Sequence, residues 1–315
     1  MKSIFTTTKI NLFYLALVSF VFISTSAISL AANNPSEIGK KIRPVTTLDA
    51  KYSDIPVLGE SVGFPVLSSQ SVMAVDLVSG VTLYEKDPLK PLFPASTTKI
   101  VTALVAMDVY NLDEVITVGR VNVVGQKMGL VRGETITIEN LLNGLLIYSA
   151  NDAAEVLASN YPEGREEFIS LMNQKVESLG LINTYFANPT GLDSAAQYST
   201  VKDLVTVSKV AMRNPVFSSI VGTKEKIIKS EDGKFTHSVK NINELLGVVD
   251  GVKGVKTGWT EVARENLVTY IERDGRVIMI AVLGSQDRFG ETEELIDWIF
   301  KNYTWEEVKY SYGGL

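Results

Sequence analysis

A nearly unbroken apolar run at residues 100–107 constrains the fold of this chain more than any other feature. A helix that is apolar on every side is typical of the interior of a domain. Just before the run lies Pro94-Ala95-Ser96-Thr97-Thr98-Lys99, whose proline suits the start of a helix. Ser96 and Lys99 are three residues apart, so a helix would bring hydroxyl and amine together near its N-terminus, where developing negative charge is favoured.

The composition excludes several kinds of site. The chain of 315 residues has no cysteine and one histidine, His237, which excludes thiol catalysis, disulfides and a zinc site of several imidazoles. His237 lies in a polar stretch, and we interpret it as a solvated residue of a loop or edge strand. A nucleophilic serine here would then need a lysine or a carboxylate as its base. The net charge of −6, without a basic cluster, argues against nucleic acid as a partner.

The N-terminal segment predicts a protein that works outside the cytoplasm. Lys2 and Lys9 precede the apolar residues 12–23, and Ser29-Leu30-Ala31 offers small residues for a signal peptidase. We predict that residues 1–31 are a signal peptide or, if they are not cleaved, a membrane anchor. No other membrane attachment is expected. Residues 32–68 contain four prolines and are predicted to be a linker or N-terminal arm.

The order of predicted elements favours one α/β domain over residues 69–304, followed by a short tail at 305–315. Strands are expected near both ends of the domain, with helices between them. We therefore predict an antiparallel sheet flanked by helices on both faces, with a helical subdomain. The strands are predicted at 71–77, 81–84, 115–118, 135–138, 224–229, 252–260, 266–271 and 277–283, and the helices from Ser96 onwards, at 139–146, 153–159, 165–179, 200–212 and 291–302.

Two later motifs complete the Ser96 and Lys99 pair. Ser149-Ala150-Asn151 lies between two predicted helices, and Lys256-Thr257-Gly258 lies on a predicted strand, where the glycine leaves room for another backbone. The ordered set Ser-x-x-Lys, Ser-x-Asn and Lys-Thr-Gly is the signature of penicillin-binding proteins and class A β-lactamases. No single motif is specific, but all three occur in order and on suitable elements.

Residues 71–300 resemble the low-molecular-mass penicillin-binding proteins that are serine D-alanyl-D-alanine carboxypeptidases. Beyond the motifs, the resemblance rests on Asn188-Pro189-Thr190-Gly191-Leu192 and on the residues that flank the second and third motifs. It implies a β-lactamase/transpeptidase-like fold and an enzyme without a cofactor. It also implies that the enzyme cleaves the terminal D-Ala from D-Ala-D-Ala stem peptides of peptidoglycan and is covalently inhibited by β-lactam antibiotics.

The chemistry and the resemblance together suggest roles for the catalytic residues. Ser96 would attack the carbonyl and form an acyl-enzyme. Lys99 would be its base, provided that burial and the nearby cation Lys256 lower the pKa of its amine. The resemblance makes Ser149 a proton relay to the leaving amine, and Asn151 a hydrogen-bond partner of Lys99 and the substrate.

Further residues are expected to bind the substrate. The N–H group of Ser96 and, as the resemblance implies, that of Trp259 would bind the oxyanion. Lys256, Thr257 and Arg288 would bind the terminal carboxylate of the peptide, beside Gly258. Asp152 is expected to serve helix capping rather than catalysis.

Three alternatives stay open at the level of sequence: a DD-endopeptidase that cleaves D-Ala cross-links, a serine β-lactamase, and a binding protein without turnover. The deacylating Glu of class A β-lactamases follows the Ser-x-Asn loop, whereas Glu139-Asn140-Leu141-Leu142-Asn143 precedes it. Many relatives have Ala-Gly where this chain has Ala263-Arg264. Arg264 either changes the edge of the cleft or points outward.

We predict that hydrolysis needs neither a metal ion nor a disulfide, because the chain has no cysteine and a single histidine. EDTA and reductants are expected to leave the rate of peptide hydrolysis unchanged. Inhibition by EDTA that added zinc restores would contradict this expectation.

Overall fold

The structure, a computed structural model, describes residues 54–307. The predicted signal peptide or anchor at 1–31 and most of the predicted tail lie outside the described residues. Within this range no helix is both long enough and apolar enough to cross a bilayer.

In the described chain most strands lie towards the two ends, and most helices lie between them. The strands are β1 (Ile55–Leu58), β2 (Ser71–Asp76), β3 (Thr82–Lys86), β4 (Val115–Thr117), β5 (Thr135–Thr137), β6 (Glu225–Lys229), β7 (Thr236–Lys240), β8 (Val252–Thr260), β9 (Arg264–Arg273), β10 (Arg276–Ser285) and β11 (Tyr303–Glu306). The helices are α1 (Lys99–Val109), α2 (Ile138–Ile147), α3 (Asn151–Ser159), α4 (Arg165–Ser178), α5 (Val201–Met212), α6 (Pro215–Val221) and α7 (Arg288–Asn302). A short 3₁₀ helix, Ala95–Thr98, leads directly into α1.

A five-stranded antiparallel sheet with the order β3-β2-β10-β9-β8 forms the centre of the domain. The N-terminal strand β2 pairs with the C-terminal strand β10, where Ala74 lies opposite Ile280. The tight turn between β9 and β10 contains Asp274 and Gly275, both in the left-handed region that such turns require. The sheet is therefore built from both ends of the chain, as predicted.

Strand β10 explains why the sheet is covered on both sides. Side chains alternate between the two faces of a strand, and β10 is apolar at successive positions. Ile278, Ile280 and Val282 enter one hydrophobic core, which contains residues of α7. Met279, Ala281 and Leu283 enter the other core, which contains residues of α1 to α6. A strand that is apolar on both faces is stable only between two layers of helices.

The helices occupy both faces of the sheet. Helix α7 packs on β9 and β10, whereas α5 packs on β2 and β10. Helices α1 to α4 pack on one another and form the helical subdomain, with α1 against both α2 and α4. This confirms the predicted fold class.

The ends of the domain differ from the prediction. Strand β1 lies within the arm predicted at 32–68, and β11 extends beyond the predicted end of the domain at residue 304. The two strands pair with each other, with Val57 opposite Thr304. Each has four residues, and their pairing depends on a partner almost 250 residues away in the chain, so neither has a clear local signal.

A buried carboxylate joins helix α7 to the segment before β2. Glu291 accepts hydrogen bonds from the backbone N–H groups of Ser68 and Ser69 and from the hydroxyl groups of Ser69 and Ser285. Burial alone would raise the pKa of Glu291, but these donors outweigh it and the pKa is lowered. The ionised carboxylate therefore stabilises the fold.

We predict that Glu291→Gln destabilises the domain by roughly 1–3 kcal/mol, because the amide cannot accept all of these hydrogen bonds. A lowered pKa in the folded state stabilises the protein above the unfolded pKa of the group, and this stability is lost as pH falls. The difference between wild type and variant should therefore shrink on acidification. Thermal unfolding at several pH values measures it, with the exposed Glu293→Gln as the control. A variant as stable as wild type at neutral pH would refute this account.

Candidate active site

Ser96 is the second residue of the 3₁₀ helix that leads into α1. The preceding residue, Ala95, has a φ of +47°, which turns the chain sharply into the helix. The 3₁₀ helix packs on β8. A Cβ atom added to Gly258 of β8 would lie 3.0 Å from the Ser96 nitrogen and 3.2 Å from the Pro94 carbonyl oxygen. Glycine at this position therefore allows the strand to approach the backbone of Ser96.

Lys99 is completely buried in the first turn of α1. Its Nζ lies 2.9 Å from Ser96 Oγ and donates a hydrogen bond to the carbonyl of Thr190. Burial, followed by the charge of Lys256, lowers the pKa of Lys99 well below that of an ordinary lysine, although Glu155 and Asp152 oppose the shift. A neutral amine beside a hydroxyl group can accept its proton.

The turn that supplies this carbonyl is held by Asn188. The Oδ1 atom of Asn188 accepts hydrogen bonds from the backbone of Thr190 and of Gly191, at 3.2 and 2.8 Å. Gly191 has a φ of +82°, and a Cβ atom there would lie 1.9 Å from the carbonyl oxygen of Ala95. Only glycine at this position lets the turn approach the backbone of Ala95, the residue before Ser96. The sequence singled out this stretch as part of the family resemblance but did not reveal its contact with Lys99.

The second motif connects α2 to α3. Ser149 is buried and has a φ of +61°, and Asn151 is the first residue of α3. The side-chain amide of Asn151 donates to the carbonyl of Val124 at 2.8 Å, and within residues 54–307 no hydrogen bond joins it to Lys99. The predicted bond to Lys99 is therefore wrong in this structure, because a neighbouring loop takes the donor. The Oδ1 atom of Asn151 is buried and has no protein partner among the described residues.

Asp152 holds that loop in place. Its carboxylate accepts hydrogen bonds from the backbone of Met128, Gly129 and Leu130, at 3.0, 2.9 and 3.0 Å. It also accepts from the next residue of its own helix. The expected role in helix capping is thus minor, and Asp152 mainly anchors the loop to α3.

The third motif forms the opposite side of the site. Lys256 is buried, and its pKa is lowered to about 7 by burial and then by the charge of Arg288. Arg288, the first residue of α7, donates to the carbonyl of Gly258 at 3.0 Å. Among the described residues, Thr257 Oγ1 and Arg288 Nε are buried without a protein partner. The indole of Trp259 is 62% exposed.

These elements enclose a cleft of about 870 Å³. Seven of the nine predicted site residues line it, and the other two, Lys99 and Lys256, lie buried behind its wall. The cleft also contains charged residues that the motifs did not indicate: Asp193, Lys240, Glu244 and Glu261. Asp193 accepts a hydrogen bond from Thr260 at 2.7 Å, which joins the turn to the end of β8.

Two residues that the sequence left in question lie outside the cleft. Arg264 is exposed and does not line it, and its φ of +61° explains why glycine suits this position. Glu139 is in the first turn of α2, 3.6 Å from Lys226, and does not line the cleft either.

Comparison with known proteins agrees with this arrangement. The sequence model of Peptidase S11, D-alanyl-D-alanine carboxypeptidase, matches residues 59–287. The chain is 35% identical to D-alanyl-D-alanine carboxypeptidase DacB2 of Mycobacterium tuberculosis, over 76% of this chain and 85% of that protein. It is 31% identical to a D-alanyl-D-alanine endopeptidase of Escherichia coli, over 75% and 78%.

Solved structures match as well. A D-alanyl-D-alanine carboxypeptidase of M. tuberculosis H37Rv superimposes with a TM-score of 0.73 at 32% identity, over 81% of this chain and the whole of that one. Some relatives are longer, and the match covers 63% of the D-alanyl-D-alanine carboxypeptidase DacF of Bacillus subtilis.

We predict that Gly258→Ala lowers the acylation rate of Ser96 by roughly tenfold or more, because the added methyl group displaces the backbone of the nucleophile. Gly63→Ala is the matched control, since a Cβ atom there meets nothing within 4 Å. The rate of covalent labelling of Ser96 measures the effect. Equal rates in the two variants would show that the close approach is unimportant.

Proposed function

We propose that this chain, which belongs to the D-alanyl-D-alanine carboxypeptidase family Peptidase S11, is a serine carboxypeptidase that removes the terminal D-Ala from peptidoglycan stem peptides. The observation that carries the proposal is the position of a buried amine 2.9 Å from the Ser96 hydroxyl. The other two motifs line or back the same cleft. Because peptidoglycan lies outside the cytoplasm, the enzyme works there.

Acylation begins when Ser96 Oγ attacks the carbonyl carbon of the penultimate D-Ala. Lys99, held neutral by burial, accepts the hydroxyl proton as the new C–O bond forms. The backbone N–H groups of Ser96 and Trp259 bind the resulting oxyanion. When the peptide C–N bond breaks, Ser149 gives its hydroxyl proton to the departing amine and takes up the proton that Lys99 accepted, so that D-Ala leaves and Lys99 is neutral again. Water then hydrolyses the ester and restores Ser96.

The terminal carboxylate of the substrate binds beside the third motif. Thr257 Oγ1 and Arg288 Nε are buried donors without protein partners, and an anion in the cleft would satisfy them. Lys256 contributes positive charge from behind the wall. Asn151 retains a free acceptor, Oδ1, for an N–H group of the substrate. These contacts favour a peptide with a free C-terminal carboxylate.

Attack of Ser96 on the amide of a β-lactam ring would acylate the serine in the same way and inhibit the enzyme covalently. A class A β-lactamase uses the glutamate of a Glu-x-x-Leu-Asn segment to activate water for rapid deacylation. Glu139 begins such a segment but does not line the cleft, whereas Glu244 and Glu261 line the cleft but begin no such segment. We therefore propose a stable adduct rather than β-lactamase turnover. A second candidate activity is cleavage of peptide cross-links, because two relatives, of Pseudomonas aeruginosa and Escherichia coli, carry the name D-alanyl-D-alanine endopeptidase.

Mass analysis of the products tests these proposals. A muropeptide ending in D-Ala-D-Ala is expected to lose one alanine residue, and Ser96→Ala is expected to be inactive. Cross-linked dimers incubated in parallel report endopeptidase action, which would split them into monomers. Intact-mass analysis with a β-lactam should show one adduct that is absent from Ser96→Ala. Labelling that persists in Ser96→Ala, or an adduct lost within seconds, would refute the assignment.

We predict that the acylation rate rises with pH through an ionisation well below the value of about 10.4 of an ordinary lysine. A base acts only when deprotonated, and the pKa of Lys99 is lowered. Lys256→Ala removes a repulsive charge, so the profile should move to higher pH. Lys99→Arg should lower the rate by about 100-fold or more, because guanidinium stays protonated.

Stopped-flow measurement of the acylation rate across pH tests these expectations for wild type, Lys256→Ala and Lys99→Arg. For substrates with a carboxylate, a decline is also expected as Lys256, with a pKa of about 7, loses its charge. An active Lys99→Arg enzyme with the profile of wild type would exclude Lys99 as the base.

A further inference from the structure

His237 is buried, contrary to the prediction that it is solvated. It lies on β7, opposite Ile228 of β6, and is 7% exposed. Its Nε2 lies 2.7 Å from Glu134 Oε1, and its Nδ1 lies 3.1 Å from the carbonyl oxygen of Met128. Glu134 is also buried, at 1%. The mechanism above uses neither residue.

The two contacts of His237 require one more proton than neutral imidazole and carboxylate can provide. A carbonyl oxygen only accepts, so Nδ1 must carry hydrogen to bond Met128. A hydrogen must then also lie between Nε2 and Glu134 Oε1, whichever of the two atoms holds it. Without that proton, either a lone pair of Nε2 faces the carboxylate of Glu134 or a lone pair of Nδ1 faces the carbonyl oxygen of Met128. One of the two hydrogen bonds then fails.

Both contacts fix the loop at residues 119–133, which we call the cleft loop. His237 binds the carbonyl of Met128, and Glu134 Oε2 accepts from the backbone of Val131 at 3.0 Å. From the other side, Asp152 binds three consecutive N–H groups that begin at Met128. The cleft loop is therefore clamped between β7 and α3.

The cleft loop in turn orients Asn151. The carbonyl of Gln126 accepts the backbone N–H of Asn151 at 2.7 Å, and the carbonyl of Val124 accepts its side-chain amide at 2.8 Å. Gly125, between them, lines the cleft and has a φ of +79°; a Cβ atom there would lie 2.9 Å from Asn151 Nδ2. The direction in which Asn151 presents its free Oδ1 thus depends on the position of this loop.

Other charged groups near His237 are accounted for. Lys226 lies on the same face of the β6–β7 hairpin, since its cross-strand partner Val239 is two residues from His237. Lys226 is 3.6 Å from Glu139 of α2. Asp152 contacts the far side of the cleft loop. Among the described residues, Glu134 is the charged group within hydrogen-bond range of His237.

We propose that His237 and Glu134 are positioning residues, which share one proton and through the cleft loop hold Asn151 in its active orientation. This inference rests on the proposed function. It predicts that loss of the shared proton lowers activity, because one of the two hydrogen bonds made by His237 then fails. The loss is separate from the ionisation of Lys99, which acts in the opposite direction.

The variant Glu134→Gln tests the role of the proton. Its amide oxygen can accept from Val131, while its NH₂ group donates to Nε2 and leaves Nδ1–H for Met128. All hydrogen bonds are then made by neutral groups at every pH. The readout is the ratio of its acylation rate to that of wild type at each pH. Because both proteins contain Lys99, the rise in rate that follows deprotonation of Lys99 is common to both and cancels in the ratio. The ratio is expected to be near one at acidic pH and to rise roughly threefold to tenfold at alkaline pH, as for one hydrogen bond.

Two comparisons locate the effect. The first comparison uses proteins that all carry Asn151→Ala. Among these, the ratio of the acylation rate with Glu134→Gln to the rate without it should not change with pH. Glu139→Gln, an exposed carboxylate on the neighbouring helix, should give a flat ratio in the wild-type background.

The outcomes separate the two proposals. A β-lactam adduct on Ser96 that appears in every variant, together with a flat Glu134→Gln ratio, would overturn the positioning role and leave the proposed function intact. A rising ratio that persists unchanged in Asn151→Ala would overturn the route through Asn151. Absence of any adduct in wild type would instead reject the proposed function.

Discussion

The burial of the Lys99 amine is the interaction on which the rest of the site depends. A charged ammonium group without water is costly, so a lysine in such a place gives up its proton at a lower pH than usual. Its neighbours offer a hydroxyl group, Ser96, and a backbone carbonyl, that of Thr190. A neutral amine can bond with both at once. The proposed chemistry therefore follows from the exclusion of water, and the exclusion of water follows from packing.

Three distant segments close around this amine, and the domain is arranged so that they meet. The 3₁₀ helix packs on β8 at Gly258, and the turn at Asn188 reaches the carbonyl of Ala95 at Gly191. Both approaches leave no space for a Cβ atom without movement of a neighbouring backbone. The sheet provides a rigid support because β10 is packed on both faces. A site that relies on such short backbone distances needs a support of this kind.

Much of the fold could be predicted because its signals are local. Each signal lies within or directly beside the helix that it defines. Examples are the apolar run of α1, Gly180 just after α4 with a φ of +72°, and the Thr200 cap just before α5. Helix α6 was not predicted, although Asn214 caps it and Pro215 begins it, since its seven residues are too few for a clear period. An edge strand was only one of two interpretations of the segment around His237, and the burial of this side chain was missed. The residues of this segment are alternately exposed and buried, so a polar composition concealed a half-buried strand.

The sequence by itself determined which groups we propose for the chemistry, because the three motifs and their order single out Ser96, Lys99 and Lys256. Only the tertiary structure decided their partners and therefore their protonation. Lys99 bonds a carbonyl 91 residues away, His237 pairs with a carboxylate 103 residues away, and the Asn151 amide binds a loop 27 residues before it. Burial and hydrogen-bond distances depend on which segments fold against one another, and residues far apart in the chain have no local pattern that reveals their contact.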